Sequence, residues 1–326
     1  MTTPSIAVRE VMKSLDDLLP GRVERDAPSG ALTTYRCGGP IAALARIDRS
    51  DDLARLAGVL GPHPDVPILV IGRGSNLLIS DAGFAGVAIA LGGEFERIDV
   101  RPGGNSVGNS VRVRVDAGSA APLPVLARQA AQAGVGGLEF FVGIPGSVGG
   151  AVRMNAGGHG AETKDVIVSA RVFDLATAQA RELGVGELAF GYRSSALGAR
   201  DVVVAAGFAG RDDDPAACEA RIDDIVRWRR EHQPGGQNAG SVFTNPPGDT
   251  AGRLIDACGL KGVRVGGVVV SEKHANFFAA GPGAHADDVV ALMDLVRDRV
   301  EAATGVRLVP ELQLVGFADP SEEAPG

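Results

Sequence analysis

The chain has 326 residues, 45% of them hydrophobic and 22% charged, and a net charge of −8. That composition supports a folded core and two or three domains, and excludes long disorder. The acidic balance excludes a general nucleic-acid binder, which needs many Lys and Arg against phosphates. A local basic pocket for an anionic substrate remains compatible with it. The cysteines Cys37, Cys218 and Cys258 form no disulfide or zinc spacing and fit a reducing compartment. The N-terminal segment lacks the apolar region of a secretory signal, and no run approaches ~20 apolar residues. The reading is a cytoplasmic protein with no membrane partner, a monomer or a weak homo-oligomer.

Along the chain, an amphipathic helix is expected near Val8–Leu19. Residues Tyr35–Pro40 form a turn, and Ile41–Ile47 reads as a strand. Ser50 is expected to cap a helix carrying Leu53, Leu56, Val59 and Leu60 on one face. Pro67–Ile71 and Val87–Leu91 read as strands, separated by Gly72-Arg73-Gly74-Ser75-Asn76. The alternation VRVRVDAG predicts a half-buried strand. A helix follows over Leu123–Gln132, then a glycine-rich run from Gly143 to Gly160. Strands are expected over residues 166–174 and 201–207. The breaker-rich Gly210–Pro215 is taken as a domain boundary. Helices are expected over Ala217–Glu231, Gly248–Cys258 and Ala286–Ala303, and a strand over Val306–Val315. The domain reading is 1–92 and 93–209 for two subdomains, 210–305 for a second domain, 306–317 for a closing strand, and 318–326 for a disordered tail.

Two segments carry the chemistry. The run Gly143–Gly160 holds seven glycines in eighteen residues. Glycine lets backbone N–H groups approach an anion without an intervening Cβ, which suits a pyrophosphate. Gly72–Asn76 is a second such loop, but it is neither a Walker A sequence nor a full dinucleotide fingerprint. Either loop alone also reads as a structural turn; two together suit two phosphates of one dinucleotide.

With their neighbours these loops resemble the UDP-N-acetylenolpyruvoylglucosamine reductase family. The resembling blocks are TTYRCGGP, ILVIGRGSNLLISDAGFAGVAI, GLEFFVGIPGSVGGAVRMNAG, FGYRSS, NAGSVFTNP, GLKGVRVGG, VSEKHANFF and LVPELQLVG, in the family's order over about residues 33–316. The resemblance implies an α+β protein. Its FAD-binding domain would be of the vanillyl-alcohol oxidase or p-cresol methylhydroxylase type, built as two α/β subdomains. A smaller α+β substrate-binding domain would follow. It implies non-covalent FAD, NADPH as co-substrate and a UDP-sugar as the small-molecule substrate. Gly72, Gly74, Ser75 and Asn76, with Gly143, Ile144, Pro145, Gly146, Ser147, Gly149, Gly150, Asn155 and Gly157, would hold the cofactor. Tyr192, Asn245, Lys261 and Asn276 would meet the substrate. No metal is implied.

Three catalytic roles also follow from the resemblance. Arg193 matches the family's catalytic arginine, Ser241 its proton donor and Glu311 its catalytic glutamate. Hydride addition to an enolpyruvyl double bond develops an enolate, so a cation, a proton donor and a polarising acid are the groups such chemistry needs. Taken singly, the same residues read as a surface arginine, a turn serine and a strand glutamate. The sequence departs from the family at Gly158 and His159, where Ala and Tyr are usual, and at Thr244, where a longer polar residue is common. The short interval from Arg193 to Ser241 places the chain in the subgroup without an extra tyrosine loop. Two alternatives remain at this stage. One is an FAD oxidase of the same fold acting on a sugar or phenol, with flavin linked through His159 or Cys37. The other is a non-catalytic flavin- or nucleotide-sugar-binding protein.

Overall fold

The computed structural model describes residues 3–101, 106–107 and 110–317; the expected tail 318–326 lies outside them. The architecture is α+β, with three main sheets. The first has four strands in the order Val23–Pro28, Pro40–Ile47, Phe84–Leu91, Ile68–Ile71. Its last three strands run parallel, while Val23–Pro28 is antiparallel to its neighbour. Helices Ile6–Leu18 and Ser50–Leu60 lay Val8, Val11, Leu15, Leu53, Leu56 and Leu60 into its core. This is the i, i+3, i+4 stripe of an amphipathic helix.

The second sheet is antiparallel. Its main path runs Gln179–Gly184, Ile167–Asp174, Asp201–Asp212, Ser110–Gly118, Ile98–Arg101. Helices Leu123–Gln132, Val148–Met154 and Pro215–His232 contribute to its core. The third sheet joins Arg264–Val265, Val268–Val270 and Phe278–Ala280. Its core is shared with helices Ala251–Ala257 and Ala286–Thr304. Tyr35, Cys37 and Leu78 from the N-terminal part enter that same core, so the third layer docks directly on the first.

Several expectations change. Cys218 and Ile222 of helix Pro215–His232 belong to the core of the second sheet. The change of core therefore falls after His232, not at Gly210–Pro215, where Asp214 caps the helix by accepting from the Ala217 amide. Ser50 is not a cap: Arg49 holds that position, and the Ser50 amide donates to Glu94 at 2.7 Å. The glycine-rich run is not a plain loop. It contains the short helix Val148–Met154 and the hairpin Gly157–Gly158/Ala161–Glu162. The closing strand spans only Gln313–Val315, since just before it the chain pairs elsewhere: Pro310 bridges Phe243 and the Glu311 amide donates to Val242 O. Those three residues pair in parallel with Leu77–Ile79.

The cysteines differ in burial. Cys37 is 7% exposed, and burial pushes its thiol up to about 11. Cys218 is buried and Cys258 is not. At pH 8, iodoacetamide is expected to modify Cys258 at least ~10-fold faster than Cys37, as read by peptide mass spectrometry, because the thiolate is the nucleophile.

Candidate active site

The first sheet ends in the Gly72–Asn76 loop, and the turn between helices Leu123–Gln132 and Val148–Met154 supplies Gly143–Ser147. These loops face each other across an open cleft of about 1260 Å³. Gly74 is required by the backbone: its φ is +60°, and a Cβ there would lie 1.9 Å from the Leu32 carbonyl oxygen. Among the described residues, no protein acceptor takes the N–H groups of Gly74, Ser75 or Asn76. They are therefore available to an anion. A second cleft of about 710 Å³ shares Gly72, Arg73, Ser147, Gly150 and Arg153 with the first and adds Gly149 and Ser119. The Ser119 hydroxyl is buried there without a partner. Two joined clefts with unpaired donors and glycine walls fit an extended dinucleotide such as FAD.

Most of the expected cofactor residues line these clefts: Gly72, Gly74, Ser75, Asn76, Gly143, Ile144, Pro145, Gly146, Ser147, Gly149, Gly150 and Gly157. Asn155 does not. It is fully buried at a left-handed helix end (φ 42°), and its amide donates to Gly191 O at 2.9 Å and to Glu162 at 3.2 Å. Its Oδ1 accepts from the Lys164 amide at 3.0 Å, so all its capacity is spent inside the protein.

Arg193, Ser241 and Glu311 meet in the large cleft although they come from three distant segments. Arg193 has a left-handed backbone (φ 54°), and its guanidinium donates from Nε to Glu311 at 2.9 Å and from Nη2 to Gly157 O at 3.3 Å. Its Nη1 is buried without a hydrogen-bond partner. Burial pushes the Glu311 carboxyl above its ordinary range, against the opposing pull of Arg193. The Glu311 amide donates to Val242 O at 2.8 Å, and Asn76 Nδ2 donates to Glu311 O at 3.1 Å. The Ser241 segment, Glu311 and the Gly72–Asn76 loop are thereby tied into one frame.

The four expected substrate residues lie elsewhere. Asn276 is 2% exposed and clamps Phe243, accepting from its N–H at 3.0 Å and donating to its carbonyl at 2.8 Å. It shapes the Ser241 loop and does not line the cleft. Asn245 accepts from the Ala251 amide at 3.1 Å and so tethers a helix start. Lys261 Nζ donates to Asp256 at 2.7 Å, away from the cleft. Tyr192 is exposed, with its ring 4.9 Å from the Arg193 guanidinium carbon. The cleft instead offers Arg229, Gln233 and Asn238. Sequence reasoning passed over these; the basic run Arg227–Arg230 beside the PGGQNAG loop was the available signal. Arg229 is half-buried and, among the described residues, forms no ion pair; its Nε donates to Gln233 at 2.7 Å.

His159 and Cys37 do not line the cleft. The His159 ring backs Gly143, where a Cβ would approach it to 2.8 Å, and stands edge-on to Trp228 at 5.1 Å. Burial and the neighbouring Arg229 hold this histidine below its ordinary value, consistent with a packing role.

Replacing Asn276 by Leu removes both bonds to Phe243 and leaves its backbone groups buried and unpaired. The expected loss is about 2–4 kcal/mol of stability, measured by urea unfolding.

Comparison with known proteins agrees with this geometry. Residues 41–184 match the family described as FAD binding domain, and residues 232–315 match the C-terminal domain of UDP-N-acetylenolpyruvoylglucosamine reductase. The chain is 44% identical over 299 residues to UDP-N-acetylenolpyruvoylglucosamine reductase 2 of Symbiobacterium thermophilum, covering 91% of this chain and 93% of that protein. It is 43% identical to the reductase of Paramagnetospirillum magneticum, covering 92% and 95%. The crystal structure of the reductase from Thermus caldophilus superposes with a TM-score of 0.76 at 35% identity, covering 90% of this chain and 99% of that one. With likeness of that extent in both sequence and fold, the chain belongs to the UDP-N-acetylenolpyruvoylglucosamine reductase family.

Proposed function

We propose that this protein reduces the enolpyruvyl group of UDP-N-acetylglucosamine enolpyruvate to UDP-N-acetylmuramate, with NADPH as electron source, in the cytoplasmic synthesis of peptidoglycan precursors. The single observation that carries the reading is the meeting of Arg193, Ser241 and Glu311 in a cleft walled by the two glycine loops. The loop residues Gly72–Asn76 and Gly143–Ser147 would hold FAD without a covalent bond. Held there, FAD would supply the hydride-transfer chemistry that links NADPH to the enolpyruvyl double bond.

Each side chain then has a distinct task. The Arg193 guanidinium, which lines the cleft, holds the substrate carboxylate, and its charge offsets the enolate as that forms. Glu311, whose carboxyl burial pushes above its ordinary range, is the acid placed to donate a hydrogen bond to the developing oxyanion. Ser241 delivers the proton to the carbon beside the carboxylate. Serine is a weak acid, so its position matters: the loop is fixed by the bond from the Glu311 amide to Val242 O and by the Asn276 clamp on Phe243. The net result is addition of two hydrogens across one carbon–carbon double bond: hydride from NADPH and a proton through Ser241.

The position of His159 and Cys37 outside the cleft favours this reading over an oxidase with covalently linked flavin. A purely binding role would require none of the three converging side chains.

Purified protein loaded with FAD is expected to oxidise NADPH steadily only when the enolpyruvyl sugar is present, followed by loss of NADPH absorbance. Absence of any sugar-dependent oxidation overturns the assignment. In stopped-flow measurements, Ser241→Ala is expected to slow reoxidation of the reduced protein by the sugar by ~10²–10⁴-fold. Flavin reduction by NADPH should change far less, and equal slowing of both half-reactions would remove the proton-donor role.

A further inference from the structure

The guanidinium of Arg193 serves two carboxylates. Its Nε donates to Glu311 at 2.9 Å, and its Nη1 lies 3.6 Å from Glu162 on the opposite side. Glu162 sits in the hairpin that follows the glycine-rich helix, and Gly157, its strand partner, accepts from Arg193 Nη2. The two acids are unequally supported. Glu162 receives the Asn155 amide at 3.2 Å and the Lys164 ammonium at 2.6 Å. Glu311 has Arg193 alone, and its side chain is 14% exposed against 23% for Glu162.

Two carboxylates on one cation also repel each other, and that repulsion weighs on the less supported one, favouring its protonated form. In a simple one-to-one pair, Arg193 would hold Glu311 ionised and so remove the acid that the reaction requires. Asn155 strengthens the arrangement, because the same buried amide fixes Glu162 and the Gly191 carbonyl two residues before Arg193.

We propose that Glu162 is a positioning residue: it takes up part of the charge of Arg193, so that Glu311 retains its proton while the guanidinium stays turned to the substrate carboxylate. The inference rests on the role given to Glu311 above. The charged groups around this pair are Arg193, Glu162 and Lys164, Asp165, whose carboxylate accepts from the Glu162 amide, and Arg73, Arg153 and Arg229 on the cleft wall. Glu162→Gln removes the competing charge, leaves Arg193 to Glu311 alone, and favours the ionised form of Glu311.

The test follows the protonated carboxyl by infrared spectroscopy during a pH titration of the FAD-loaded full chain, without NADPH or sugar. The band is assigned by its absence in Glu311→Gln. In Glu162→Gln it is expected to vanish at a pH lower by about one unit. The alkaline limb of sugar-driven reoxidation should move by the same amount, giving a rate about tenfold below wild type on the alkaline side. Glu162→Asp, which keeps the charge, should restore both readouts towards wild type. An unmoved band in Glu162→Gln overturns the proposal, as does equal loss at all pH values in both Gln and Asp variants, which marks a merely structural residue. If wild-type protein is not reoxidised by the sugar, the assigned reaction fails, while the infrared titration still decides the role of Glu162.

Discussion

The site depends on a short parallel pairing between the end of the chain and its first third. Gln313–Val315 runs beside Leu77–Ile79, extended by bonds from the Gln313 amide to Asn76 O at 3.0 Å and from the Ser80 amide to Val315 O at 2.8 Å. Three residues of strand are marginal by themselves. They are stable here because Leu78 and Leu312 are buried in the core of the third layer, which also takes Tyr35 and Cys37. The pairing carries Glu311 to the edge of the Gly72–Asn76 loop. It also leaves the Glu311 amide free to hold Val242, next to Ser241. The Gly72–Asn76 loop, Glu311 and Ser241 are thus set by one shared backbone framework.

The electrostatics of the cleft follow from how few carboxylates enter it. Glu311 is the one acidic side chain among the described lining residues of the large cleft, against Arg73, Arg153, Arg193 and Arg229. The Arg153 guanidinium is held by Leu197 O and Gly198 O at 2.9 and 2.7 Å, carbonyls that leave its charge un-neutralised at that contact. An acidic protein thereby presents a locally basic recess. Low-dielectric walls make such a field effective for phosphates and carboxylates. Burial of Glu311 in the same recess works in the other direction, pushing its carboxyl above its ordinary range.

Polar residues outside the cleft have structural tasks that resemble functional ones in sequence. Asn155, Asn245 and Asn276 each sit within segments characteristic of the family, yet each satisfies backbone groups: a helix end, a helix start and the Ser241 loop. A side-chain amide offers two donors and an acceptor, so it can replace a missing stretch of ladder where the chain turns. These positions are fixed by the need to pair buried polar groups, and the site inherits its shape from them.

The sequence by itself determined the elements whose signal is local. Apolar periodicity marked helices Leu123–Gln132 and Ala286–Thr304, and alternation marked the strand Ser110–Gly118. Glycine density marked both loops, since a left-handed φ or a backbone approach excludes a Cβ. The family resemblance identified Arg193, Ser241 and Glu311, but local pattern could not say that they meet. Only the tertiary structure decided the Gln313–Val315 pairing, the assignment of helix Pro215–His232 to the second core, and the inward orientation of Arg229. It also placed Lys261, Asn245 and Asn276 outside the lining of the large cleft. The reason is physical: periodicity reports which face of an element is buried, whereas the partner of a polar side chain depends on segments up to 235 residues away, as between Asn76 and Glu311.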